Sequence, residues 1–360
     1  MLENGKINIR QFTCLVILFT VGSSVLVAPS GLAEAAKQDA WIASILGVAI
    51  GLLLVMLYNN LQQQFPDKTL VQYSEVILGK WLGKGVSLLF LSYFFILASF
   101  LLREIGDFVT TQIMPETPIE SILILFLFVV MLGTRLGLEP VTRSAEIFFP
   151  WIVGLFIMLI VLLSPEIDIQ KIQPVMENGL KPVLRATFPF LGLPFLELIV
   201  FLMIIPYVNK SQKTGKAFLI GTLIGGGFLI VITIMSLVVL GNDFTARNTY
   251  PSYILGKKIS IATILERLEV IVAIIWFLTI YFKLSICFYV TTLGLSQTLN
   301  LKSYRPLIFP LGMNLIVLSL INSPDITYFH HFIEKIWTPY SLTFGLFLPL
   351  LLLGVGAIRK

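Results

Sequence analysis

The sequence predicts an all-α integral membrane protein with ten transmembrane helices, arranged as two inverted repeats of five. Three observations predict this fold. Of the 360 residues, 57% are hydrophobic and 12% are charged, with a mean hydropathy of +0.92, whereas soluble domains carry about 25% charged residues. Apolar runs of about 20 residues, the length that crosses a bilayer, recur along the whole chain. Two of these runs, one in each half, are interrupted by glycine and proline.

The apolar runs are separated by loops that carry Gly, Pro and charged residues. We number them spans 1 to 10 and place them at about 10–35, 40–63, 84–112, 119–136, 145–164, 186–208, 217–240, 263–294, 304–321 and 335–358. They use up the chain as one transmembrane domain, 1–360, with repeats at about 10–164 and 186–358. Spans 3 and 8 are the longest, so we expect them to tilt or to project from the bilayer.

The orientation follows from the distribution of Lys and Arg. The segments on the side of the N-terminus hold fourteen of the 25 Lys and Arg residues, those on the opposite side hold eight, and three fall within the spans. Because positive charge is enriched on the cytoplasmic side, both termini are predicted to be cytoplasmic. The two longest loops, about 165–185 and 241–262, then face outward.

Span 1 is interrupted by the polar stretch Gly22–Pro29 (GSSVLVAP). A break in the backbone ladder is tolerated at membrane depth only where it lines a cavity or is covered by other helices. The freed backbone groups of Gly22, Ser23, Ser24, Val25 and Leu26 are therefore candidate ligand contacts, with the second half of the helix expected from near Pro29. The alternative is a kink that serves helix packing.

Span 6 is interrupted at 189–197, which contains Phe190, Gly192, Phe195 and Glu197. A carboxylate at this depth is costly, so Glu197 should face a cavity or a partner. It could pair with a substrate ammonium group or carry a proton, or it could bond to the unwound backbone of its own helix. Two breaks at corresponding positions predict a binding site at the midplane, between the repeats.

Lys283 lies past the midpoint of span 8, far from either end. Glu269, Trp276 and Lys283 are seven residues apart and share one helix face. The ammonium group could meet a ligand carboxylate, replace a sodium ion or pair with Glu197. Snorkelling to the interface would require the stem to span roughly 10 Å. Cys287 is counted with Lys283 among the candidate ligand-binding residues.

Span 3 carries polar residues on one stripe. Tyr93 and Leu97 are candidate ligand contacts, although a bond between helices would satisfy the Tyr93 hydroxyl equally well. Further along, Arg103 and Glu104 are predicted to form a gate or a brace with Glu266 and Glu269 of span 8. In particular, we expect one of those two acids to neutralise Arg103, because an unpaired arginine at that depth would be costly.

Other classes of function find little support in the sequence. No basic cluster suggests nucleic-acid binding, and no cofactor or metal site is expected. Because no nucleophile is placed beside a base, enzymatic activity is not predicted. Cys14 and Cys287 lie in apolar runs, so no disulfide framework is indicated. Gly225–Gly227 lies within span 7, which favours close helix packing over a phosphate-binding loop.

These stretches together resemble the B subunit of the nutrient germinant receptors of endospore-forming bacteria, a branch of the amino acid–polyamine–organocation transporters. The resemblance covers essentially the whole chain and is carried by Gly22–Pro29, Ser99–Arg103, Gln173–Gly179 with Phe188–Phe190, Tyr250–Ser252, and Glu266–Glu269 followed by Trp276. This chain departs from the family pattern at Ser24, where the family usually has glycine, at Ser30, where it has a basic residue, and at Leu196, where it has glycine before Glu197.

The resemblance implies a leucine-transporter-like fold and a nutrient-binding function. The ligand would be a small germinant such as an amino acid, and Ser24 would narrow the pocket in favour of a small or polar one. The implied partners are a membrane subunit with soluble domains, a lipoprotein subunit and the lipid bilayer. The implied location is the spore inner membrane. A proton-coupled amino acid permease that uses the same site is the alternative.

Overall fold

The computed structural model describes residues 3, 5–209, 213–258, 268–322, 328 and 332–358. Within these residues the regular structure is helical, apart from one isolated parallel bridge between Ile7 and Val208. Nine described stretches are long and apolar enough to cross a membrane. One of them, Ser24–Gln64, includes the short 3-10 turn Lys37–Asp39 and so supplies both the second half of span 1 and span 2. With the apolar helix Ile9–Val21, the described part contains the ten predicted spans.

The observed spans follow the predicted ones closely. They are, in order, Ile9–Val21 with Ser24–Ala36, Ala40–Gln64, Lys80–Phe108, Ile119–Leu136, Leu138–Leu163, Leu180–Gly192 with the 3-10 helix Leu196–Met203, Thr214–Leu240, Glu269–Thr298, Arg305–Asn322, and a tenth made of Ile333–Trp337, Thr338–Leu342, Thr343–Phe347 and Leu348–Ile358. Spans 3 and 8 are long, at 29 and 30 residues. Since the number of spans is even, both chain ends lie on one side, which we call the terminal side; the other is the loop side.

The largest error in the predicted limits concerns span 5, which begins at Leu138 and not near 145. Its first turns are polar, and this composition predicts a loop. Glu139 and Arg143 form an ion pair four residues apart on the helix, so this charged turn is compatible with helix. Three short α-helices between the spans were not predicted. They are Leu70–Leu78, Asn242–Arg247 and Pro251–Lys258.

Small residues bring the broken spans close to their neighbours. Gly225 of span 7 lies against span 1, where a Cβ would be 2.7 Å from the Cβ of Thr20. Gly226 contacts Val48 of span 2 in the same way, whereas Gly227 has open space around it. Two of the three glycines therefore serve the close packing that was predicted. The second half of span 1 packs against the first half of span 6, and span 3 packs against span 8.

The two broken spans are also tied together on the terminal side. Asn8 and Gln11 form a capping box that starts span 1. Just before it, the Ile7 N–H donates to the Tyr207 carbonyl at 3.0 Å, and the Asn209 N–H donates to the Ile7 carbonyl at 2.8 Å. These backbone bonds fix the beginning of span 1 against the end of span 6, so the two breaks come to lie side by side between spans 2, 3, 7 and 8.

Candidate functional site

The break in span 1 is short. The helix stops before Gly22 and Ser23 and resumes at Ser24. Gly22 has a φ of +28°, and a Cβ there would lie 2.5 Å from Lys283 Cδ and 2.7 Å from the Phe19 carbonyl oxygen. Residues other than glycine rarely adopt this backbone conformation. Only glycine therefore fits this turn, over which the Lys283 stem passes directly.

Pro29 lies within the helix that follows the break, so the prediction that this half begins near Pro29 is wrong. Proline fits a helical φ but has no N–H, which leaves the Val25 carbonyl, four residues earlier, without its helical partner. The Ser252 hydroxyl of the loop-side helix after span 7 donates to that carbonyl at 2.6 Å. Thr279 of span 8 donates similarly to the Gly22 carbonyl at 3.1 Å. Hydroxyls from other elements thus satisfy both freed carbonyls.

The other predicted contacts of the first break are buried. Val25 and Leu26 lie on the helix after the break, and the Leu26 N–H donates to the Ser23 carbonyl at 3.2 Å. The Ser24 hydroxyl is fully buried and has no hydrogen-bond partner within the described residues. Among the described residues this hydroxyl is therefore a donor without an acceptor.

The break in span 6 is longer and is satisfied differently. The α-helix ends at Gly192, and the chain resumes as a 3-10 helix four residues later. The Leu193 carbonyl accepts a hydrogen bond from Lys283 Nζ at 3.1 Å. The Pro189 carbonyl accepts one from the Thr338 hydroxyl at 3.3 Å. The two carbonyls of this break are therefore bonded by a cation and by a hydroxyl group.

Lys283 and Glu197 form a fully buried ion pair, with 2.7 Å between Nζ and Oε2. Lys283 Nζ also lies 3.3 Å from the Ser23 hydroxyl, in addition to its bond to the Leu193 carbonyl. Trp337 of span 10 donates its indole N–H to Glu197 Oε1 at 3.0 Å. The Lys283 ammonium group thus contacts one acceptor from each break and one carboxylate. Of the predicted alternatives for Lys283, the structure has the pairing with Glu197. The side chain is fully buried, so it does not snorkel to the interface.

Tyr93 reaches this pair through aromatic side chains and does not bond to it directly. Its ring stacks on Trp337 with 5.4 Å between ring centroids, and on Phe344 with 4.8 Å. Its hydroxyl bonds to Ser341 of span 10 at 3.1 Å. Leu97, one turn further along span 3, is also buried. The Tyr93 ring therefore lines the site, and its hydroxyl forms a hydrogen bond between spans 3 and 10.

The remaining predicted contacts pack against span 2 and within span 8. Phe190 and Phe195 meet edge to face at 5.6 Å and lie over Gly47 and Gly51, where a Cβ would overlap their rings. Cys287, one turn after Lys283, is fully buried. The two phenylalanines therefore pack the second break against span 2, and Cys287 lies next to Lys283 on span 8.

The predicted pocket is filled in this conformation. A loop-side crevice of about 60 Å³ lies beside the breaks, and a water molecule occupies about 30 Å³. The crevice lies between the halves of spans 1 and 6 and is lined by Val27, Ala28, Ser30, Gly31, Leu32, Ala186, Pro189, Phe190, Leu193 and Ile333. It holds about two waters, so an amino acid requires the halves to separate.

The charges of span 3 are arranged differently from the prediction. Within the described residues, Arg103 Nε pairs with Asp107 Oδ1 on its own helix at 2.8 Å, and not with Glu269. Glu266 lies outside the described residues, so its role as a brace stays a prediction. Glu104 is buried, and its Oε1 has no hydrogen-bond partner in the described part of the chain. The role of Glu104 in a gate or brace stays a prediction.

Sequence reasoning missed Trp337, Thr338 and Ser252. An indole N–H within a span can only donate, so it needs an acceptor. This requirement could have pointed to Trp337 as a partner for a buried acid such as Glu197, but the predicted site did not include span 10. Ser252 lies in the stretch Tyr250–Ser252, for which the sequence predicts no contact with the breaks. Within the described residues, no group of three or more His, Cys, Asp or Glu side chains is placed to hold a metal ion.

Comparisons with known proteins agree with this architecture. The model of a family described as "Spore germination protein" matches residues 6–326. Spore germination protein KB of Bacillus subtilis (strain 168) is 30% identical, over 100% of this chain and 96% of that protein. Mhp1, a nucleobase-cation-symport-1 family transporter in a closed conformation with bromovinylhydantoin bound, superposes with a TM-score of 0.69 at 11% identity, covering 94% of this chain and 76% of Mhp1. MhsT in complex with L-phenylalanine superposes with a TM-score of 0.66 at 14% identity, covering 96% of this chain and 97% of MhsT. The predicted transporter fold is confirmed.

Proposed function

Because this chain belongs to the spore germination protein family, we propose that it is the membrane subunit of a nutrient germinant receptor. It binds a small germinant, an amino acid, at the midplane between the broken spans. It resides in the spore inner membrane with both termini in the cytoplasm. It acts with a membrane subunit that carries soluble domains and with a lipoprotein subunit. Its two inverted repeats are those at about 10–164 and 186–358.

The observation that carries this proposal is the buried pair Lys283–Glu197, which is bonded to both breaks. Separating two buried charges without replacement costs several kcal/mol. A zwitterionic amino acid supplies a carboxylate for Lys283 and an ammonium group in exchange. Such a ligand can therefore open the pair with little uncompensated charge, whereas a neutral solute cannot.

Ligand binding would also be linked to a change of conformation. The Lys283 ammonium group holds the Ser23 hydroxyl and the Leu193 carbonyl at once, so it joins the two breaks in the closed state. A ligand that takes over the ammonium group favours a state in which the breaks move apart. This shift is the signal that partner subunits would read.

A proton-coupled amino acid permease remains the second candidate, because cavities also lie on the terminal side. One of about 1010 Å³ and one of about 600 Å³ are lined in part by Tyr207 and by Ile205, respectively, at the end of span 6. The crevice described on the loop side is much smaller, at about 60 Å³, and this difference resembles one state of an alternating-access transporter. Uptake of a bound amino acid into proteoliposomes, driven by a proton gradient, would favour this function over a receptor.

The test is a binding screen on the purified full-length chain with the twenty common amino acids, read out as thermal stabilisation. We expect a subset to bind. The double variant Lys283→Met, Glu197→Gln should remain folded, because replacing both members of a buried pair is often neutral. It should weaken binding roughly ten- to a hundredfold, the equivalent of about 1.5–3 kcal/mol.

The matched control is Lys80→Met, which removes a lysine from the exposed start of span 3 and should leave affinity unchanged. A folded double variant that binds the same amino acid with an unchanged Kd would place the ligand elsewhere. Absence of binding by all twenty amino acids would reject an amino acid as the ligand.

A further inference from the structure

The segment before span 1 crosses the terminal side of the protein. Glu3 lies near its beginning, and the two backbone hydrogen bonds of Ile7 join its end to span 6. Between these points a Cβ at Gly5 would lie 3.3 Å from the Cβ of Glu139, at the start of span 5. We call the described residues of this segment, 3 and 5–8, the terminal strap. The strap thus runs from the end of span 6, past span 5, to Glu3.

The Glu3 carboxylate is bound by two buried phenol groups. The hydroxyls of Tyr289, in span 8, and Tyr304, just before span 9, each donate to Glu3 Oε2 at 3.0 Å. The two tyrosines are only 2% and 3% exposed, and their rings meet edge to face with 5.6 Å between centroids. Glu3 Oε1 accepts from the N–H of Gly5, in the strap itself, at 2.8 Å. Both carboxylate oxygens are therefore bonded, and two of the three donors belong to other elements.

Gly137, between spans 4 and 5, leaves the space that this carboxylate fills. It has a φ of +105°, which residues other than glycine rarely adopt. A Cβ there would lie 3.1 Å from Glu3 Oε2 and 3.4 Å from the Tyr304 hydroxyl. Hydrogen bonds to a carboxylate are roughly twice as strong as those between neutral groups. Buried donors and a glycine that makes room thus form a built site for a carboxylate.

The strap restrains the terminal end of span 1. The first half of this span packs against spans 5 and 8, and its capping box begins within the strap. Only three residues separate Glu3 from Ile7, so the bound carboxylate limits how far the start of span 1 can move from span 8. A second polar contact joins Arg10 to Glu146 of span 5 at 3.3 Å, but the Arg10 side chain is 74% exposed. Since exposed ion pairs contribute little, Glu3 is the stronger anchor.

We propose that Tyr289, Tyr304 and Gly137 form a carboxylate-binding site that Glu3 occupies, and that this contact latches the terminal end of span 1 to the rest of the protein. While Glu3 is bound, the strap holds the start of span 1 against spans 5 and 8. When Glu3 leaves the site, this end of span 1 is free to separate from them. The latch does not depend on which ligand the midplane binds. A small carboxylate should fill the same site once the Glu3 side chain is removed.

The two cysteines of the chain can report this movement. Cys14 of span 1 is buried one turn after Arg10, and it lies close enough to the Arg10–Glu146 pair to be influenced by both charges. It should therefore become reactive when span 1 separates from span 5. Cys287, one turn after Lys283 in span 8, is fully buried and should react fast only if the protein unfolds.

The test measures how fast a membrane-impermeant methanethiosulfonate reagent labels each cysteine of the full-length chain in lipid nanodiscs, read by peptide mass spectrometry. Glu3→Ala should speed the labelling of Cys14 roughly ten- to a hundredfold, as the loss of hydrogen bonds to a charged group would, and should leave Cys287 slow. Sodium acetate should return the Cys14 rate of this variant toward that of the parent chain. Acetamide, the matched neutral solute, in sodium chloride of equal concentration should not.

Tyr289→Phe with Tyr304→Phe removes only the two hydroxyl donors. This variant should speed the labelling of Cys14 as Glu3→Ala does, but acetate should not slow it. Asp67→Ala removes an exposed acid on the terminal side; it is the matched control and should leave both rates unchanged. The latch is rejected if Glu3→Ala leaves both cysteines slow or makes both equally fast. The carboxylate site is rejected if acetate acts no differently from acetamide, or acts equally well without the two hydroxyls.

Discussion

The two breaks solve the same problem with different chemistry. In span 1 the interruption lasts two residues, and the freed carbonyls of Gly22 and Val25 are bonded by hydroxyls. In span 6 the interruption is longer, and the freed Leu193 carbonyl is bonded by the Lys283 ammonium group. A hydroxyl can be lost at small cost, but a buried ammonium group also requires Glu197. The carbonyls of the first break therefore depend on neutral hydroxyls of other elements, while the second break depends on an ion pair between spans 6 and 8.

The largest effect is expected at the ion pair. Lys283→Met alone leaves Glu197 buried without its cation, which should destabilise the protein by about 3–5 kcal/mol. Abundance in membranes and the unfolding temperature are the measurements.

Adding Glu197→Gln to Lys283→Met should restore most of the lost stability, because a glutamine can still accept from Trp337. If the single variant is as stable as the parent chain, or if the second change gives no rescue, the pair is not what holds the second break.

A smaller effect is expected at the glycines, which differ between the breaks. Gly22→Ala places a side chain at a φ of +28° and against both Lys283 and the Phe19 carbonyl, so it should cost about 2–4 kcal/mol. Gly192→Ala meets the Thr338 hydroxyl, which can rotate away at the loss of one hydrogen bond, and also approaches the Thr338 Cβ and Cα at 3.1 and 3.2 Å. We expect it to cost about 1.5–2 kcal/mol. Thermal unfolding followed with a thiol-reactive dye suits this comparison, because Cys14 and Cys287 are both buried. Equal losses would show that the two turns are equally constrained.

The sequence predicted the fold and the positions of the breaks because both depend on local composition. Apolar length defines the spans, and Gly22, Gly192 and the nearby prolines weaken the helix wherever they occur. It could not choose a partner for Lys283, because Glu197 is 86 residues away and several acceptors were compatible with its depth. Nor could it show that the Lys283 stem fills the pocket, since that depends on how side chains pack. The predicted start of the second half of span 1 near Pro29 was wrong because a helix tolerates an internal proline when another group bonds to the freed carbonyl. Here the Ser252 hydroxyl bonds to the Val25 carbonyl.

The smallest effect is expected at the hydroxyls. Ser252→Ala removes the 2.6 Å bond to the Val25 carbonyl, which Pro29 cannot replace. Thr338→Val removes the 3.3 Å bond to the Pro189 carbonyl and keeps the side-chain shape. Bonds between helices in membranes average about 0.6 kcal/mol, and the strongest reach about 1.7 kcal/mol. We therefore expect Ser252→Ala to cost about 1–1.5 kcal/mol and Thr338→Val about 0.5 kcal/mol, measured as shifts of the unfolding temperature. Thr110→Val, which removes a hydroxyl that bonds only within its own helix, is the matched control. A larger loss for Thr338→Val than for Ser252→Ala would mean that the second break depends on hydroxyls as much as on its ion pair, and the contrast between the breaks would not hold.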